Sequence, residues 1–101
     1  MEITFSLEGK TLIIHLIGEL DEHASEYARR TMDSALEGRP YNAVVFDLAR
    51  LAFMDSTGIG VLIGRYKLIK KRNCPVYVKS PSPTVHKIFT MAGLYEIMPI
   101  I

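Results

Sequence analysis

Strand-like and helix-like segments alternate along this chain with almost nothing between them, and that alternation confines it to a layered α/β fold. Ile3, Phe5 and Leu7 alternate with Thr4 and Ser6, Glu8-Gly9-Lys10 interrupts, and Thr11 to Ile17 resumes as an Ile-rich apolar run. This is the pattern of a β-hairpin. Gly18-Glu19-Leu20-Asp21 breaks the second strand. Ala24, Tyr27, Ala28, Thr31, Met32, Ala35 and Leu36 then recur at helical spacing, which predicts a helix over 22–37, capped by Asp21 and closed by Gly38. Tyr41 to Asp47, apolar and rich in β-branched residues, reads as a strand buried on both faces.

Farther along, Ile59, Leu62, Ile63, Tyr66 and Ile69 make one apolar stripe on a second helix ending near Arg72-Asn73. Gly58, Gly60 and Gly64 weaken that helix by on the order of 1 kcal/mol each relative to Ala. Their clustering points to close approach of another backbone, within the domain or on a partner. Val76-Tyr77-Val78 forms a short strand after Pro75. Ser82 caps a third helix with Pro83 at its first position, Val85, Ile88, Phe89 and Ala92 as its apolar stripe, and Gly93 at its end. Tyr95 to Ile101 reads as a last strand. The predicted order is β-β-α-β-α-β-α-β, an α/β domain spanning residues 1–101. Its mixed sheet has four to five strands, with three helices packed against it. Strands joined through helices are expected to run parallel, and the hairpin supplies the antiparallel pair.

The composition, 49% hydrophobic and 23% charged over 101 residues, is that of a chain with one globular core, which excludes a disordered or fibrous class. No basic-then-apolar leader is visible, and no run reaches the roughly 18 to 20 apolar residues needed to cross a bilayer, so a cytoplasmic protein without membrane attachment is expected. Cys74 is the only cysteine, and His15, His23 and His86 lack zinc-type spacing. No disulfide, metal or cofactor is expected. The net charge of +1 gives no general attraction to nucleic acid, but the charges are uneven. Glu19, Asp21, Glu22, Glu26, Asp33 and Glu37 outnumber Arg29 and Arg30 in the first helical region. Arg65, Lys67, Lys70, Lys71 and Arg72 end the second helix as a solvated basic face. No aromatic platform accompanies that basic run, so direct nucleic-acid binding is not expected.

Candidate chemistry concentrates in Phe53-Met54-Asp55-Ser56-Thr57-Gly58-Ile59-Gly60, where a strand gives way to the Gly-bearing helix. The glycines are spaced G-x-G-x-x-x-G, which is not a dinucleotide fingerprint, and no matching acid follows about 20 residues later. Asp55-Ser56-Thr57-Gly58 has one residue too many for the Asp-Thr-Gly of aspartic proteases. Met54 stands where the first Gly of a G-x-S-x-G nucleophile elbow belongs, so the spacing supports no hydrolase at Ser56, although any of the three His could be a base. Asp47 lacks the acidic cluster of a phospho-accepting aspartate. Two roles remain for Ser56, and one does not exclude the other: N-cap of the helix, with Asp55 adding charge complementary to the dipole, and an exposed hydroxyl that another protein phosphorylates.

The segment from Leu51 to Lys67 resembles the signature of the STAS family, in particular its bacterial anti-anti-sigma factors. Gly18-Glu19-Leu20-Asp21, Ser80-Pro81-Ser82-Pro83-Thr84-Val85 and Met91-Ala92-Gly93-Leu94 agree with it. The resemblance implies a STAS fold and a regulator that is not itself an enzyme. Its unphosphorylated form would bind an anti-sigma factor of GHKL serine-kinase type, releasing the sigma factor. Phosphorylation of Ser56 would end that binding, and a PP2C-like phosphatase would restore it. Asp55 would orient the hydroxyl or meet a basic group, and Thr57, Gly58 and Gly60 would form the docking surface with Glu19 and Asp21. Thr57, where the family has a second Ser, is an alternative acceptor. Family members commonly continue into a fourth helix where this chain stops at Ile101. A non-switching STAS scaffold of a stress-signalling or transporter-associated complex is the alternative function, and an enzyme acting through Asp55 or Ser56 is a third.

Overall fold

The hairpin forms as the alternation predicts. In the computed structural model, which describes residues 1–101, β1 (Glu2–Glu8) and β2 (Thr11–Leu20) pair antiparallel, with Gly9 at φ 62° in the turn between them. The helices are α1 (Ser25–Gly38), α2 (Ser56–Lys70) and α3 (Pro83–Ala92). Between them, β3 (Ala43–Met54) and β4 (Val76–Lys79) add parallel to β2, and the sheet order is β1-β2-β3-β4. Parallel pairing follows from the helical crossovers, as expected.

One face of the sheet makes the core. Ile3, Leu12, Ile14, Leu16, Val44, Phe46, Leu48, Val76 and Val78 are buried together with Ala28, Met32 and Leu36 of α1, Val61, Leu62 and Ile69 of α2, and Val85 and Phe89 of α3. All three helices therefore lie on the same side of the sheet. Val45 and Ile13, only 4% exposed, lie outside that shared core, and Asp47 is half-buried, so β3 is covered by helices on one face only. Helix α3 attaches through the buried Val85 and Phe89, worth roughly 1.5–3 kcal/mol each, with the half-buried Ile88 packed beside them. Its boundaries match the predicted signals: Ser82 accepts the Val85 N–H at 3.2 Å, and Gly93 takes a left-handed φ of 70°.

Several expectations are corrected. β2 does not stop at Ile17. It continues through Gly18, at φ 105°, to Leu20, with register irregularities that only a flexible residue accommodates. β3 runs on from Asp47 to Met54, because Leu48, Leu51 and Met54 are buried at a spacing of three along a bulged strand, a rhythm that alternation does not reveal. Helix α1 starts at Ser25. Asp21 Oδ1 instead accepts the Ala24 N–H at 3.0 Å and closes the turn before it. The last strand is reduced to a short 3₁₀ turn (Leu94–Glu96) and one bridge from Ile100 to Val78. Leu94 and Met98 are buried at helical spacing, and the bridge rests on two bonds, Val78 N–H to the Pro99 carbonyl and Ile101 N–H to the Val78 carbonyl, both at 3.0 Å.

The second helix is rotated from its predicted stripe. Its buried residues are Gly58, Val61, Leu62, Arg65 and Ile69, while Ile59, Ile63 and Tyr66 are half-buried. Arg65, expected on a solvated basic face, is 7% exposed and meets Asp33 of α1 at 2.8 Å. The two groups are in electrostatic contact without hydrogen-bond alignment, and Arg65 Nη1 has no partner. Arg72 donates to the Leu36 carbonyl at 2.7 Å and stacks on Tyr41 at 4.1 Å, closing the far end of α2 against α1.

Candidate functional site

The candidate residues converge where the C-terminal ends of the parallel strands β2 and β3 meet the first turn of α2. Asp55, not Ser56, is the N-cap of that helix. Its backbone is extended (φ −101°, ψ −171°), its Oδ1 accepts the Gly58 N–H at 2.9 Å, and its carbonyl accepts the Ile59 N–H at 2.9 Å. Asp caps a helix as well as Ser does, because either oxygen reaches the same orphan N–H. The sequence carries this signal as Asp55 three residues before Gly58, one position ahead of Ser56.

This shift frees Ser56. It stands at the first position of α2, exposed, and its hydroxyl makes no hydrogen bond within the chain, whereas Thr57 is exposed one position later. The N–H groups of a helix's first turn have no intrahelical partners and carry the positive end of the dipole, so an added anion is tolerated there.

Asp55 also ties two loops together. Its Oδ2 accepts the Glu22 N–H at 3.1 Å, and its own N–H reaches the Leu20 carbonyl at 3.4 Å. The segment carrying Glu19 and Asp21 is thereby held against the start of α2. The Gly58 N–H foremost, and the Glu22 N–H besides, hold the Asp55 carboxyl below its ordinary value against a smaller opposing effect of desolvation. The site is therefore anionic at neutral pH. Glu19 is exposed and Asp21 half-buried, and both line a cavity of about 480 Å³ with Met1, Gly18, His23 and Ala24.

The glycines divide by position. A Cβ on Gly58 would run into the Leu20 carbonyl oxygen, so the close backbone approach expected of this helix lies inside the domain, at that residue. Gly58 is buried and does not offer a docking surface. Gly60 and Gly64 meet nothing within 4 Å of an added Cβ. Sequence reasoning missed the contributions of Leu20 and Glu22, which act through backbone atoms that carry no residue-type signal.

Residues 3–101 match the STAS domain family. The chain is 46% identical to the anti-sigma F factor antagonist of Paenibacillus polymyxa, covering 99% of this chain and 86% of that protein. It is 35% identical to the anti-sigma F factor antagonist of Lysinibacillus sphaericus, over 84% of this chain and 73% of that one. Among solved structures, the unphosphorylated anti-sigma factor antagonist SpoIIAA superposes with a TM-score of 0.81 at 32% identity, over 99% of this chain and 88% of that one. The phosphorylated Bacillus cell fate determinant SpoIIAA gives 0.73 at 31%, over 99% and 91%. With its order β-β-α-β-α-β-α and its four-stranded mixed sheet, the chain belongs to the STAS domain family.

Proposed function

We propose that this protein is an anti-sigma factor antagonist that switches partners by phosphorylation of Ser56. Its unphosphorylated form would bind an anti-sigma factor of GHKL serine-kinase type in the cytoplasm and so release a sigma factor. The observation that carries this reading is the division of labour at the start of α2: Asp55 caps the helix, and the adjacent Ser56 hydroxyl is exposed and unpartnered. Because the cap bond belongs to Asp55, modification of Ser56 leaves it intact.

Phosphoryl transfer forms an Oγ–P bond on Ser56, breaks the terminal phosphoanhydride of ATP and releases the hydroxyl proton. The product carries roughly −1.5 to −2 additional charge at neutral pH. The helix start accommodates that charge, whereas a partner packed on the surface of Ser56, Thr57 and Gly60 meets its bulk and its desolvation cost. Glu19 and Asp21, exposed and half-buried beside the site, would steer a basic patch of the partner. A PP2C-like phosphatase would return the protein to its binding form.

The test is incubation with the candidate kinase and ATP, followed by intact-mass analysis and binding measurements. Wild type gains one phosphate and loses affinity, and Ser56→Ala gains none and stays bound. Phosphate that persists on Ser56→Ala and vanishes from Thr57→Ala moves the acceptor to Thr57. Binding that ignores phosphorylation returns the protein to a non-switching scaffold.

A further inference from the structure

The sheet face that carries no helix holds a polar row running across all four strands: Thr4 pairs with His15, His15 with Asp47, and Asp47 with Lys79. Ser6 lies diagonal to His15, two positions along β1 from Thr4. Ser6 Oγ is 3.0 Å from His15 Nε2, and His15 Nδ1 is 2.8 Å from Asp47 Oδ2. The remaining Asp47 oxygen, Oδ1, accepts the Ala49 N–H at 3.0 Å.

The Asp47 carboxylate fixes the hydrogen that joins it to His15. Burial opposes ionisation of Asp47, but the Ala49 N–H, the His15 hydrogen bond and the charges of His15 and Lys79 outweigh it and hold its carboxyl below the ordinary range. An ionised carboxylate only accepts, so the hydrogen between Asp47 and His15 sits on Nδ1, and in the tautomer that carries this hydrogen alone Nε2 accepts the Ser6 hydroxyl. Burial is graded along the chain of groups: Asp47 has 18% of its side chain exposed, His15 31%, and Ser6 is open to solvent. Thr4, His15, Asp47 and Arg50 line a depression of about 220 Å³ on this face, and Arg50 makes no ion pair within the chain.

The geometry points to Ser6 as an activated nucleophile that accepts an acyl group from activated esters, with His15 as its general base and Asp47 orienting the ring. Connectivity and roles, not sequence order, define such a relay, and here three neighbouring strands supply it. Ser6 Oγ bonds to the ester carbonyl carbon as its proton passes to Nε2. The bond to the leaving oxygen then breaks, and that oxygen takes the proton from Nε2. Water later cleaves the acyl-Ser6 bond, its proton passing through Nε2 back to Ser6, and releases the carboxylic acid. This site is separate from Ser56 and does not depend on the partner switch.

The experiment treats the full chain with a fluorophosphonate, which forms Oγ–P and expels fluoride with the hydroxyl proton, and maps the label by mass spectrometry. Release of p-nitrophenolate from p-nitrophenyl acetate is followed in parallel. The expected result is one label on Ser6, none on Ser6→Ala, and labelling slowed about 100-fold in His15→Gln and Asp47→Asn, the size of a lost general base. Ser6 is exposed on the edge strand, so Ser6→Ala keeps its fold, which circular dichroism verifies. Absence of label on wild type, label elsewhere than Ser6, or an unchanged rate in a folded His15→Gln overturns the proposal.

Discussion

Asp55 Oδ2 accepts the backbone N–H of Glu22 at 3.1 Å, joining positions 33 apart in sequence, while its other oxygen caps α2 through Gly58. One carboxylate thus fixes the loop that carries Glu19 and Asp21 relative to the helix that presents Ser56. The acidic loop and the exposed hydroxyl form a single rigid surface because of this contact, and a partner that reads one necessarily meets the other.

Acid weakens that clasp. Asp55 has a folded-state pKa below its ordinary value of 3.8, so its contribution to stability is fully present above that value and is lost as pH falls through the lower folded value. Urea midpoints measured from pH 7 down to pH 2.5 will drop in the acidic limb, and Asp55→Asn will flatten that limb. The dependence that remains in Asp55→Asn belongs in part to Asp47, whose carboxyl is depressed in the same direction.

Ser56 is expected to be dispensable for folding. Since Asp55 provides the cap, Ser56→Ala and Ser56→Asp should each stay within about 0.5 kcal/mol of wild type, the usual range for an exposed site. A loss of about 1 kcal/mol in Ser56→Ala, the typical effect of removing an N-cap, would return the capping role to the hydroxyl. Chemical denaturation distinguishes the two values.

The glycines of α2 should separate sharply. Gly58→Ala pushes a methyl into the Leu20 carbonyl and is expected to cost more than about 3 kcal/mol, beyond ordinary overpacking. Gly60→Ala and Gly64→Ala enter open space and should gain about 0.5–1 kcal/mol each from helix propensity. Gly60→Ala is nevertheless expected to weaken anti-sigma factor binding, because it adds bulk to the proposed docking face. Thermal denaturation beside a binding titration shows whether stability and affinity move in opposite directions.

The ion pair between the helices gives a double-mutant test. Asp33→Ala leaves the Arg65 guanidinium buried without its counter-charge and should cost roughly 2–3 kcal/mol, below the value for a fully buried pair because Asp33 is one-third exposed. Asp33→Ala combined with Arg65→Met removes the stranded charge and should recover most of that loss. If both variants unfold at the same urea concentration, Arg65 is held by packing of its stem and not by Asp33.

The amino-acid sequence by itself determined the hairpin, the three helices, the parallel crossovers and both ends of α3. Those features rest on local chemistry: alternation, helical spacing, Pro83 after Ser82, and Gly93 in a left-handed turn. It also marked the segment around Ser56, through residue types that stand next to one another in the chain. Only the tertiary structure decided where β2 and β3 end, since bulged pairing replaced alternation with a spacing of three at Leu48, Leu51 and Met54. It placed Arg65 inside, because the side of α2 facing α1 is set by how closely Gly58 approaches Leu20. It assigned the cap to Asp55, which a second hydrogen bond from Glu22 holds in place. It also assembled Ser6, His15 and Asp47 on one sheet face. Strand register, which no local pattern of this chain encodes, brings those three together.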